Sequence, residues 1–158
     1  MIYKNYILSI VFILFSWILS PSGICLAQSG VEGFWLSSND ETGKPVAIVR
    51  LVEKDGELKG FVEKIVAIGH ENDLCEKCAG HNQNIRIQGM QFLGNMKRTD
   101  GIWTNGWVID SENGNTYSAK AQLVESGAKL KLEGFIGLPI FGRTKYFSRL
   151  DKADLSSK

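Results

Sequence analysis

Residues Asn115–Ile136 read NTYSAKAQLVESGAKLKLEGFI, and this stretch decides the fold. Tyr117, Ala119, Ala121 and Leu123 fall on one side of an extended chain, and Ser118, Lys120 and Gln122 on the other. After Ser126-Gly127 the pattern resumes, with Leu130 and Leu132 set against Lys129, Lys131 and Glu133. Apolar residues at period two describe a strand with one face on a core and one in water. Two such strands joined by a glycine-containing reversal form a hairpin.

Outward from this hairpin the same grammar continues. Asp55-Gly56, Asp100-Gly101 and Asn113-Gly114 supply further turn signals, because Asp-Gly and Asn-Gly accept the positive φ of tight turns. They bound the runs Val46–Glu53, Glu57–Ile68, Gly101–Ile109, Asn115–Val124 and Ala128–Ile136. Val46–Leu51 is apolar on both faces. Gly33–Ser37, Met90–Lys97 and Arg143–Leu150 bring the total to about eight short strands. His70–Lys77 is polar and long enough for one helical turn. A meander of this kind must close or cover its edges. The expected fold is therefore all-β: an antiparallel, up-and-down, eight-stranded barrel whose interior holds side chains or one small ligand.

The N-terminal end has the order of an export signal. Lys4 is followed by the thirteen-residue apolar run Ile7–Leu19, then by Pro21 and Gly23, then by Cys25-Leu26-Ala27 before Gln28. A membrane-spanning helix needs about 20 apolar residues, so the run is short for an anchor. Ser22-Gly23-Ile24 also lacks the Leu-small-small pattern that lipidation of Cys25 would want. The expectation is a signal peptide at 1–27 and a single barrel domain at 28–158, exported to the periplasm or beyond, with no membrane span in the mature chain. The chain has 18 basic and 17 acidic residues, and removing the signal takes away only Lys4. A neutral chain has no electrostatic footprint for nucleic acid.

Two cysteines remain after cleavage, Cys75 and Cys78. In an oxidising compartment an even number favours a disulfide. Both histidines flank them, in the order His70, Cys75, Cys78, His81. Two thiolates and two imidazoles are a conceivable zinc set, and a Cys-x-x-Cys pair a conceivable redox site. Yet the spacing matches no specific zinc arrangement, and the strand-and-helix setting of a thioredoxin-like site is missing. The sequence has no Gly-x-Ser-x-Gly elbow and no His-Glu-x-x-His, so a non-enzymatic protein without a cofactor is expected.

Gly33-Phe34-Trp35 on the first strand, with Arg149 on the last, resembles the lipocalin-type barrel. There an indole plugs one end and a guanidinium packs across it, joining apolar filling to a cation–π contact. Further along, Trp103, Asn105, Trp107 and Ile109 share a face under strict alternation, with Tyr117 on the neighbouring strand. Pointed inward, Trp103, Trp107 and Tyr117 would line a ligand cavity; the plainer reading is core filling.

The most distinctive residues run from Asn84 to Arg149: Ile85, Gly89-Met90, Trp103, Gly106, Ile109-Asp110, Asn113-Gly114, Tyr117, Leu130, Gly134-Phe135-Ile136-Gly137, Pro139, Phe141-Gly142-Arg143-Thr144 and Arg149. This set resembles the DUF2147 family of exported bacterial proteins, a domain of unknown function. Many members similarly carry a Cys-x-x-Cys before the Asn84 region. Ser111, Glu133 and Phe147 depart from the family pattern, and Glu133 argues against an anion site on its strand. The resemblance implies an exported lipocalin-like barrel and no reaction. The expected function is binding of a small apolar molecule or lipid fragment in the barrel. The alternatives are metal or thiol-redox work at the cysteine loop, and a pocketless envelope interaction protein.

Overall fold

The computed structural model describes residues 30–151. The proposed signal lies outside the described residues. Eight strands occur in chain order: β1 (Gly33–Ser38), β2 (Pro45–Lys54), β3 (Glu57–Ile65), β4 (Gln91–Thr99), β5 (Ile102–Ile109), β6 (Thr116–Val124), β7 (Lys129–Phe135) and β8 (Arg143–Leu150). Each pairs antiparallel with the next, and β8 closes on β1. The eight-stranded up-and-down barrel read from the alternation is the one observed. Glu57–Ile68 ends three residues early as a strand, and residues 70–77 form turns instead of a helical turn.

The two ends of the barrel differ. One is closed by short reversals. Asp55-Gly56 and Asp100-Gly101 take positive φ at both residues, the geometry that lets strand twist continue through a two-residue hairpin. The other end carries the longer connections 39–44, 66–90, 110–115 and 136–142.

The core is the barrel interior, continued by Cys75, Cys78 and Met90 of the β3–β4 connection. Val31, Trp35, Leu51, Leu58, Leu93, Met96, Trp103 and Leu130 are all but sealed from water. Glycines make this packing feasible. A Cβ on Gly60 would lie 2.9 Å from carbons of Leu51, Leu93 and Phe92, and one on Gly106 would overlap Met96. Each bulky side chain occupies space that a neighbouring glycine vacates, as close packing requires.

Candidate functional site

The end bearing the short reversals is sealed. Trp35 Nε1 donates to the Val31 carbonyl at 3.0 Å. The Arg149 guanidinium carbon lies 4.2 Å from the Trp35 ring centre. Its nitrogens donate to the carbonyls of Gly127, Glu32 and Gly30 at 2.8, 3.3 and 2.6 Å. Burial lowers the Arg149 pKa, with Asp151 pulling the other way; an arginine stays charged regardless. A second pair repeats the theme, with the Arg98 guanidinium carbon 5.0 Å from the Trp103 ring centre.

Trp103, Trp107 and Tyr117 do not converge on one cavity, and the reason is a bulge. The β5–β6 register shifts between Trp103 and Gly106, and Asn105 sits at φ 61°. Asparagine tolerates this left-handed conformation, and one extra residue reverses which way every later side chain points. Trp103 faces the core opposite Ala121, whereas Trp107 pairs with exposed Ser118 and with Gly94. A Cβ on Gly94 would sit 2.6 Å from the Trp107 ring, so that indole lies across Gly94 on the outer wall. Tyr117 faces inward beside Val108, at the loop end. Asn105-Gly106 inside a strand was the available signal of the bulge.

The loop end is built differently. Toward it, the inward positions turn small or only partly buried: Ser37, Ala47, Ala119, Gly134, Val108 and Tyr117. Beneath this layer Phe92 and Phe147 meet across the interior, with ring centres 6.4 Å apart. Above it, β8 contributes residues that sequence reading missed. Leu130 and Leu132 face the core, and their partners Phe147 and Lys145 therefore face it too, followed by Arg143 opposite Gly134. Counting back by twos from Arg149 would have found both cations. Lys145 is 37% exposed and reaches Asp40 at 3.8 Å. Arg143 makes no ion pair with any described residue.

Glu133 faces the outer wall, where it pairs with Lys131 and Lys120, so it does not oppose an anion inside. Its hydrogen bond to Lys131, helped by the charges of Glu133 and Tyr146, outweighs desolvation and raises the lysine pKa above its ordinary value. That contribution to stability is present below the unfolded lysine value and fades as alkaline pH passes the folded one.

The cysteine loop forms one side of the rim. Cys75 and Cys78 are joined by a disulfide and buried. Lys77 Nζ donates to the Glu112 carbonyl at 2.9 Å, and the Lys77 carbonyl leaves no room for a Cβ on Gly114. The loop is thus docked on the β5–β6 turn. The residues considered for zinc do not form a ligand set: both sulfurs are spent on each other, and His70 Nδ1 lies 2.7 Å from Asp73. Among the described residues no three metal-binding side chains of this kind converge.

Clefts open on the surface of the described residues, two of which bear on the site. One, of about 410 Å³, has a floor of Phe34, Ile48 and Ile65 and a rim of Glu63, Glu71 and Gln88. The other, about 220 Å³, lies between the cysteine loop and the β5–β6 turn. Three large apolar side chains of the β7–β8 loop stand in water, Ile136 at 70%, Leu138 at 65% and Ile140 at 81% exposure.

A search of curated proteins finds no match. Among solved structures the chain is similar to one described as "Protein HP1028 from the human pathogen Helicobacter pylori belongs to the lipocalin family". The TM-score is 0.69 at 16% identity, over 81% of this chain and 88% of that one; at that identity the likeness speaks for the fold. The family model described as "Uncharacterized protein conserved in bacteria (DUF2147)" matches residues 33–149. This barrel, sealed at one end by Trp35 and Arg149, belongs to the DUF2147 family.

Proposed function

We propose that the protein is an exported, non-enzymatic binding protein that holds a small, mostly apolar molecule at the loop end of its barrel. The observation that carries this reading is the contrast between the ends. Trp35 and Trp103 fill one end completely, while Val108, Tyr117, Gly134 and Lys145 line the other and remain only partly buried. A wall of that kind offers apolar surface still to be covered and a few polar groups to orient a guest. Export is supported by the apolar run Ile7–Leu19 and by the disulfide. Trp103 and Trp107 drop out as wall residues, and Tyr117 stays.

The test is a chemical-shift titration of the labelled protein with a short alkyl alcohol. Binding at the loop end moves the resonances of Val108, Tyr117, Gly134 and Phe147 together. Shifts confined to Phe34, Ile48 and Ile65 would place the guest in the outer cleft and overturn the reading. A second reading, docking to an envelope partner without a pocket, draws on the exposed Ile136, Leu138 and Ile140. Saturable binding of the alcohol at the loop end argues against it.

A further inference from the structure

We infer that the guest is an anionic amphiphile, a single-chain fatty carboxylate whose head is taken by Arg143 and Lys145. This rests on the loop end being the ligand seat and adds the chemistry of the ligand.

The argument starts from where charge sits on the barrel. On the outer wall and the turns several cations are paired with acids, Arg50 with Glu63, Lys120 and Lys131 with Glu133, Lys129 with Glu125, while Lys59 and Lys97 have no ion pair among the described residues. The inner wall of β8 carries cations as well. Positions 143, 145, 147 and 149 of β8 share the inward face, as the register against Gly134, Leu132 and Leu130 and against Trp35 requires. Three of these four are cationic. Arg149 is spent on three carbonyls at the sealed end. Arg143 has no ion-pair partner among the described residues, and Lys145 has one distant, largely exposed partner in Asp40.

No Asp or Glu occupies an inward position of β5, β6, β7 or β8. Half-buried Lys145 and exposed Arg143 therefore stand at a mouth whose low-dielectric walls are Val108, Phe147 and Leu132, an arrangement that concentrates their field on an entering anion. Tyr117 adds a directed donor. Its oxygen accepts from Asn113 Nδ2 at 3.1 Å and from Asn115 Nδ2 at 3.5 Å, and its own O–H has no acceptor among the described residues. Gly134 faces inward between Tyr117 and Arg143, and its missing side chain lets Val108 and Tyr117 pack close against that wall. A carboxylate at this mouth is met by a guanidinium, an ammonium and a phenol, while its chain runs down toward Phe92 and Phe147. Charge-assisted hydrogen bonds of this type are the strong ones, and the apolar chain supplies the rest.

The experiment compares three probes of one chain length below their micellar concentrations: decanoate, decanol and decyltrimethylammonium, each titrated calorimetrically into the full mature protein. The expected result is decanoate bound about tenfold tighter than decanol, with the cationic probe weakest. In the double variant Arg143→Gln, Lys145→Met that preference falls to within about twofold, with an unchanged melting temperature showing the fold intact. Equal affinity for decanoate and decanol in the wild type, or a preference that survives in the double variant, overturns the head-group assignment while leaving the seat. Failure of all three probes to bind overturns the seat itself.

Discussion

Arg149 and Trp35 are cross-strand partners, and the guanidinium carbon of one lies 4.2 Å from the ring centre of the other. The contact closes the barrel chemically as well as sterically. The same guanidinium collects the carbonyls of Gly30 and Glu32 ahead of β1 and of Gly127 in the β6–β7 turn. Arg149→Lys keeps the charge and loses the planar fork. The expected cost is about 2–3 kcal/mol from the lost hydrogen bonds and stacking, read as a lowered urea midpoint. A lysine variant as stable as wild type would show the fork to be ornamental.

Trp35 and Trp103 are buried alike and satisfied differently. Trp35 Nε1 has the Val31 carbonyl, whereas Trp103 Nε1 is buried without a partner among the described residues. Replacing each with phenylalanine removes similar volume. Trp35→Phe also strands a carbonyl, while Trp103→Phe removes an orphaned donor. The first substitution should therefore cost about 1–2 kcal/mol more than the second. Chemical denaturation of the two variants measures the difference, and equal losses would contradict the bonding assignment.

Much of this architecture was legible because β6, β7 and β8 pair without interruption at period two. Leu130 and Leu132 against Lys129 and Lys131 gave β7 its faces, and Asp55-Gly56 and Asp100-Gly101 gave the closed end its turns. The site was harder to read. A single bulge at Asn105 moved Trp107 from the inner wall to the outer, and a paired distortion at Asn95 on β4 lets Leu93 and Met96 both face inward. A one-residue slip reverses a strand's faces, so alternation fails wherever an Asn-Gly or Gly-Asn pair falls inside a strand. The inward cations Arg143 and Lys145 followed from the rule that placed Arg149 inward, and were passed over because charged residues are ordinarily assigned to the wet face.

The divided tryptophans give a spectroscopic test. Trp103 is 1% exposed and Trp107 lies on the outer wall. Acrylamide should quench the fluorescence lost in Trp107→Ala and leave that lost in Trp103→Ala almost untouched. Stability should divide the same way, Trp103→Ala costing about 3–5 kcal/mol and Trp107→Ala clearly less. Equal quenching of both would mean that the bulge does not turn Trp107 outward.

Reduction of the disulfide makes the last prediction, and it concerns the rim. Cys75 and Cys78 are three apart in sequence, so their link closes a very short loop and its removal should cost only about 2 kcal/mol by the chain-entropy estimate. The consequence is local. Cys75 N donates to the Ile85 carbonyl and Asn84 N to the Cys75 carbonyl, and Lys77 reaches across to Glu112. These contacts hold the β3–β4 connection to itself and to the β5–β6 turn. In the Cys75→Ala, Cys78→Ala variant, amides of 74–87 and 110–115 should exchange faster with solvent. Those of β7 and β8, on the opposite wall, should keep their protection. Uniform loss of protection around the barrel would instead make the cysteine loop part of the cooperative core, and leave no separately anchored rim at the mouth.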